Sequence, residues 1–553
     1  MKINLRDPKK IMKLSKLGCF HQSKLSFLRS FLKEFKTWKY NRDLFDLDEN
    51  GFGRAVYSFS KNKRIYSLIC FANKIDDNER SDRVIATKWD AAFTLHDGIP
   101  SKNDLDRLSE NVPKQEVGRM SYKELTLSRA NKSVRIFDHV VDSLSNGRQP
   151  DKSKISEVGY LYRTTAVYGS GKFGLADRFR IKNRNEIFGP FRLEMMLVYL
   201  VRQFTFDQVN HIAKYKNPKK AIKLDNDICR NLGIGNSTGL GMAPFIVNHP
   251  TLLNNWISAR ENVLKKIREI KVVEKKSEDI FKNCLKKSLK NISSWTTDSE
   301  FQKKKILSLN EDLIKFTKFL DENPLFQSEY PFNEIYLWSE KNLKDECIEY
   351  IVSMMMEPFD EIVEPYVYKM SSEEDKFFTI PASRTIQDLR RILEEKYSDI
   401  LKIDFSKKES NQNFWFISKN KEEPRLADRF HDNGSELEQP LAIARDINEL
   451  YSRISNVKNS LKVGKFLLEN NDLRHVVRRA FIIEKFPYAE IQDNTIGSEL
   501  VAIDMLRLKL SFFGAVKFDP RSDKWLRISM FQGAPLPEDL NSFNDQWVYN
   551  SLN

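Results

Sequence analysis

The chain is short of cysteine, histidine and glycine and lacks any long apolar run, and each shortage narrows what the protein can be. Five cysteines, Cys19, Cys70, Cys229, Cys284 and Cys347, are scattered through 553 residues with no close pair. An odd number without ligand spacing argues against both a disulfide framework and a zinc site. Seven histidines form no H-x-x-x-H or H-E-x-x-H pair. The adjacent His96-Asp97 is weak evidence for metal, so no metal ligands are assigned. There is no G-x-S-x-G elbow and no cysteine in a histidine-rich context, so covalent catalysis has no support in the sequence. No motif identifies a cofactor.

No apolar stretch approaches the roughly 18 to 20 residues that would span a bilayer. Met195 to Val201 is the longest, and Glu194 and Arg202 flank it. Met1 to Lys16 carries many lysines but has neither an apolar h-region nor a small-residue cleavage site. These absences lead us to expect a soluble, cytoplasmic protein with no membrane partner.

What is present is a core-forming composition: 41% hydrophobic, 30% charged and 12% aromatic, with 38 phenylalanines. That is far from a disordered chain and long enough for several domains. Basic residues exceed acidic ones by 91 to 77, a net charge of +14. Much of the excess is lysine mixed with glutamate, the pattern of a solvated face. The balance admits nucleic acid, an acidic surface or an anionic small molecule.

Periodicity points to an α+β fold, predominantly helical, with small antiparallel strand elements and a long helical segment in the middle. Leu25, Leu28, Leu32 and Phe35 lie on one helical face. Ala55–Ser60 and Arg64–Ala72 read as a hairpin, and Val84–Leu95 as a further strand. A helix is expected over Lys123–Leu144, strand character over Tyr160–Tyr168, and a strong helix over Phe191–Ala213. Later helices are expected at 333–356, 384–399, 440–469 and 495–512, with strands near 377–381, 412–418 and 525–531. The domain division that follows is 1–251, carrying the Gly-rich segments; 252–325, a Lys/Glu-rich helical arm or bridge; and 326–553, a second α+β domain. Leu-Ala-Asp-Arg-Phe occurs at both 175–179 and 426–430.

Candidate chemistry concentrates between residues 111 and 250. Gly169-Ser-Gly-Lys-Phe-Gly174 follows a strand-like segment. Its glycines can turn amides toward an anion, while Ser170 and Lys172, beside Gly171, add a donor and a charge. The spacing does not match a Walker loop, and an ordinary turn with an exposed lysine is the simpler reading. Gly233-Ile-Gly-Asn-Ser-Thr-Gly-Leu-Gly241 packs four glycines around Asn236, Ser237 and Thr238. It reads as a loop whose amides near Gly235 hold a ligand, or as the cap of a helix starting near Met242. No βαβ unit surrounds it, which excludes a dinucleotide fingerprint.

On the expected helix 123–144, Arg129, Lys132 and Arg135 share a face around Asn131, with Asp138 and His139 one turn on. That stripe could grip an anion and move a proton, or be a solvent face laced with ion pairs. Arg163, Arg178 and Arg192 sit beside apolar segments, with Asp177 and Glu194 as the natural partners. His249, His139, Glu116 and Lys172 are the catalytic candidates. The functional expectation is an enzyme acting on a small phosphate- or carboxylate-bearing metabolite, of unassigned reaction type. Two alternatives stand beside it: an RNA- or nucleic-acid-associated protein using the basic helical arm, and an oligomeric scaffold assembled through that arm.

Overall fold

In the computed structural model the described residues are 3–13, 16–76, 89–110, 121–164, 183–187, 189, 191–238, 250–296, 300–370, 378–407, 415–418, 424–426, 438–440, 444–490, 511–522, 525–542, 544–549 and 552. The chain folds into two compact units, both discontinuous in sequence. One comprises Met1–Leu25, Gly239–Phe512 and Ser522–Lys524; the other comprises Ser26–Thr238, Phe513–Arg521 and Trp525–Asn553.

The second of these is built on a sheet. Its strands are β1 (Lys39–Leu47), β2 (Gly53–Lys61), β3 (Arg64–Ala72), β4 (Ala91–Asp97), β5 (Glu124–Lys132), β6 (Tyr160–Thr164) and β7 (Gly233–Thr238), completed by β11 (Val516–Ser522) and β12 (Trp525–Met530). They lie in the order β1-β2-β3-β4-β5-β6-β7-β12-β11. Neighbours from β1 to β6 are antiparallel, β6 and β7 are parallel, and β7 and β12 are antiparallel. Mixed α and β character is as expected, and the strands of this unit form one large sheet that includes a parallel pair. The β2–β3 hairpin has the expected bounds within a residue or two. Asn62 enters its two-residue turn with φ of 57°, as the primed hairpin turns require.

Helices α2 (Phe27–Phe35), α3 (Lys102–Ser109), α4 (Phe137–Ser145), α5 (Lys152–Val158), α6 (Arg192–Lys216) and α7 (Asn226–Asn231) complete this unit. The Ser26 side chain caps α2 by accepting the Arg29 N–H. The α6 helix is buried on nearly every side from Leu193 to Val201, as a helix apolar all round must be. Its Tyr199 ring lies 6.0 Å from Phe59 of β2 and 5.0 Å from Phe531, just past β12. Those strands are separated in the sheet by β3 to β7, so the sheet curls around α6. Phe204 of the same helix meets Tyr57, Phe93 and Tyr162 edge-on or tilted.

Two readings of the sequence are corrected in this unit. Residues 124–132 are strand β5, and helix begins only at Phe137. Arg129 and Lys132 therefore fall on opposite faces of a strand, and Arg135 lies in the turn that follows. Residues 233–238 are strand β7, not loop. Glycine is needed there for packing: a Cβ on Gly235 would lie 2.7 Å from the Tyr160 ring, and one on Gly233 would lie 2.3 Å from the Met530 carbonyl oxygen.

The other unit is mainly helical. It contains α1 (Pro8–Ile11), α8 (Pro250–Arg268), α9 (Lys275–Ser293), α10 (Glu300–Glu322), α11 (Pro331–Asn342), α12 (Asp345–Met355), α13 (Asp360–Met370), α14 (Ile386–Lys396), α15 (Ala444–Ser455), α16 (Val463–Glu469) and α17 (Arg474–Lys485). The expected helices over 333–356 and 440–469 are each two helices. Three short strands, β8 (Trp415–Ser418), β9 (Pro424–Leu426) and β10 (Glu438–Pro440), pair in the order β10-β8-β9. The stretch 378–381 forms no strand, and most of the expected helix 495–512 lies outside the described residues.

Helices α9 and α10 pack on each other and on α12. They bury Phe281 and Leu285 from one, and Leu309, Leu313 and Phe316 from the other. Their lysines pair along the helix surface, as in Lys282–Glu278 and Lys318–Glu322. A second core gathers Ile386, Leu389, Leu393, Leu450, Val463, Val476 and Phe481 from α14 to α17. Residues 17–25 are buried, and Arg6 reaches Glu261 and Glu349.

Candidate functional site

One edge of the large sheet collects strand ends from β3 to β12. At this edge β3 begins at Arg64, β4 ends at Asp97, β5 begins at Glu124, β6 ends at Thr164, β7 ends at Thr238 and β12 begins at Trp525; the pairings Tyr66–Asp97, His96–Glu124, Ala130–Thr164, Thr164–Asn236 and Leu526–Thr238 fix this. Residues 111–120 lead toward the start of β5, residue 165 follows the end of β6, and residue 239 follows the end of β7. These ends are staggered: Thr164 is level with Ala130 and not with Glu124, so β6 ends beside the later half of β5. The edge is also where strand direction changes, between the antiparallel β5–β6 pair and the parallel β6–β7 pair.

The convex face near this edge carries four of the candidate residues. Asn131 on β5 is the register partner of Arg163 on β6, and Arg163 is the partner of Gly235 on β7. Arg129 lies two residues before Asn131 on the same face, so Arg129 and Arg163 are diagonal neighbours at roughly 7–8 Å. Arg163 is buried and Arg129 half-buried. Burial pushes the Arg129 guanidinium below the ordinary arginine value. Asn131 also ties β5 to the start of β4. Its Oδ1 accepts the Asp90 N–H at 3.1 Å, while the Asp90 carboxylate accepts the Lys132 N–H at 3.0 Å. A bulge in β6 between Tyr160 and Arg163 turns the Tyr160 ring onto Gly235. Arg135 donates to the Tyr160 hydroxyl at 3.5 Å and pairs with Glu157 at 3.8 Å.

The concave face, toward α6, carries a buried polar row. Ser128 and Thr164 share a hydrogen bond of 2.5 Å between their hydroxyls. Asn236, the register partner of Thr164, is fully buried. Among the described residues neither atom of its carboxamide has a hydrogen-bond partner. Asn236 and Arg163 therefore belong to the same strand ends but to opposite faces.

Further along the edge is an ionic cluster that sequence reasoning did not find. The Tyr66 hydroxyl donates to Glu186, Arg184 pairs with Asp97, and Arg192 pairs with Glu34. Arg64 donates to the Asn183 carbonyl at 3.0 Å. Burial raises the Glu34 carboxyl above the ordinary carboxylate range, with Arg192 opposing. It also lowers Arg192, with Glu34 opposing. Burial and the neighbouring Glu186 carboxylate both push Tyr66 up. Phe191, just before Arg192, has φ of 61° at the uncapped start of α6, a conformation few bulky residues adopt. The expected partner of Arg192 was Glu194; the actual one is separated from it in sequence by strands β1 to β6 and had no local signal.

His139 lies elsewhere. It sits on α4, at the N-terminal end of β6, and its Nε2 accepts the Asp151 N–H at 3.3 Å where α5 begins. The structure does not bring it to the strand-end edge. Glu116, Ser170, Gly171, Lys172, Arg178 and His249 lie outside the described residues, and Ser237 and Thr238 are described only as positions in β7.

Among the described residues no group of three or more histidine, cysteine, aspartate or glutamate side chains is arranged to hold a metal ion. No described helix is long and apolar enough to cross a membrane. Comparison of the chain with protein families, with curated proteins and with solved structures gives no match.

Proposed function

We propose that the protein is an enzyme acting on a small anionic metabolite, phosphate- or carboxylate-bearing, bound at the strand-end edge of β5, β6 and β7. The observation that supports this reading is the placement of Arg129 and Arg163 on one face of β5 and β6, with Gly235 of β7 beside Arg163. Open sheets bind ligands beyond strand ends where the chain order or direction switches, because connections there are free to carry polar groups. Arg129 and Arg163 supply positive charge on the same face. Lys172, Ser170 and Arg178 are the further anion-binding candidates, and Glu116 and His249 the proton carriers.

On α9 and α10, Lys275, Lys282, Lys303 and Lys318 pair with carboxylates of their own helices. The nucleic-acid reading therefore has no separate observation behind it.

A thermal-shift screen of phosphorylated and carboxylated metabolites tests the proposal, followed by titration of each hit against Arg129→Ala and Arg163→Ala. Charge-assisted hydrogen bonds are worth about 1.5–3 kcal/mol, so each variant is expected to weaken binding about 10- to 100-fold. Hits whose affinity is untouched by both variants would remove these arginines, and this face, from the function.

A further inference from the structure

We infer that Asn236 is kept for ligand recognition rather than for stability, and that it receives a planar group presenting one acceptor and one donor on a single edge. The inference rests on the proposed ligand site; Asn236 is on the face opposite Arg163, so a ligand that meets both reaches round the ends of β6 and β7. Asn236 is fully buried, lies two residues from the end of β7, and has no hydrogen-bond partner for either Oδ1 or Nδ2 among the described residues. Its neighbours do not relieve it. Thr164, beside it on β6, is joined to Ser128, and Ile528, beside it on β12, is apolar.

A buried carboxamide left unsatisfied destabilises a fold, and native proteins contain few of them. Stability alone would favour leucine, which has nearly the same size and shape. Residues that oppose stability in this way are characteristic of sites shaped for a ligand. The chemistry that fits is complementary to an amide: Oδ1 takes a donor and Nδ2 gives to an acceptor. A primary carboxamide and the N6/N7 edge of adenine both match it.

The experiment uses the full chain and two matched pairs of probes. Adenosine 5′-phosphate is compared with ribose 5-phosphate, which lacks the base edge. L-glutamine is compared with L-glutamate, which offers acceptors only. Binding is measured for wild type, Asn236→Leu and Arg163→Ala, and melting temperature is recorded without ligand.

The expected results are discrimination of 100-fold or more within one pair, since a site built to hydrogen-bond rejects analogues lacking the group, and loss of that discrimination in Asn236→Leu. The ligand-free melting temperature of Asn236→Leu should rise by about 2–4 °C. The pair that discriminates identifies the source of the edge. If Asn236→Leu melts lower than wild type, the carboxamide is satisfied by an ordered water and the inference fails. Binding without discrimination in either pair also overturns it. The anion reading fails separately, when Arg163→Ala leaves the binding of the charged probes unchanged.

Discussion

Removing Arg6 should cost far more than removing an ordinary surface arginine. Its guanidinium meets Glu261 at 2.7 and 2.8 Å and Glu349 at 2.6 and 3.2 Å. Arg260 completes the cluster, 3.1 Å from Glu261 and 3.4 Å from Glu349. The side chains of Glu261, Glu349 and Arg260 are 1–3% exposed and that of Arg6 10%. Two arginines and two carboxylates balance. In Arg6→Ala one buried carboxylate is left without a full counter-charge, and breaking such a cluster from one side costs about 3–5 kcal/mol.

Native-state hydrogen exchange of amides in α8 and α12 is the appropriate assay. Their opening should become at least about 100-fold easier. Burial works against the charge of Glu261, and Arg6 and Arg260 together more than offset it, holding the carboxyl below its ordinary value. A depressed carboxyl stabilises the fold above its unfolded pKa and loses that contribution as pH falls through the folded value. The gap between wild type and Arg6→Ala should therefore narrow below about pH 4. A loss under about 1 kcal/mol, the range of exposed pairs, would refute the reasoning.

Two further outcomes follow from local geometry. His475 donates to Asp446 at 2.6 Å and to the Asp472 carbonyl at 3.0 Å, and the Asp446 contact raises its pKa, with burial opposing. A raised histidine stabilises fully below its unfolded value and loses that contribution as pH rises through the folded one, so Asp446→Asn should lower the melting temperature at pH 5.5 and not at pH 9. Gly235→Ala should destabilise β6 and β7 by about 1–3 kcal/mol through contact with the Tyr160 ring, measured by urea unfolding. Adding Tyr160→Ala should return part of the loss if the ring is the cause.

Segments whose structure is set locally were legible in the sequence. The β2–β3 hairpin announced itself through β-branched and aromatic residues around a short polar turn, and α2 through its apolar face and Ser26 cap. The long helix α6 was likewise evident from its apolar run. Segments set by distant contacts were misread. Strand β7 is Gly-Ile-Gly-Asn-Ser-Thr, a composition of low strand preference that pairs because Tyr160 and the Met530 carbonyl fill the space above its glycines. Strand β5 carries basic residues three apart, which mimics a helical face, yet β4 and β6 fix it as extended.

The candidate site divides in the same way. Arg129, Asn131, Arg163 and Gly235 were named from residue type alone, and register sets them side by side. The separate cluster of Glu34, Tyr66 and Glu186 comes from distant parts of the chain, and only tertiary contacts bring it together. His139 was named for its place beside Arg135 on a helix that does not extend that far.

The most direct test of the strand-end site is a hydrogen-exchange footprint of the strongest small-anion ligand found by screening. Protection concentrated in the later half of β5 and at the ends of β6 and β7, and absent in Arg163→Ala, is the expected result. Protection confined to α9 and α10, or unchanged in Arg163→Ala, would contradict it.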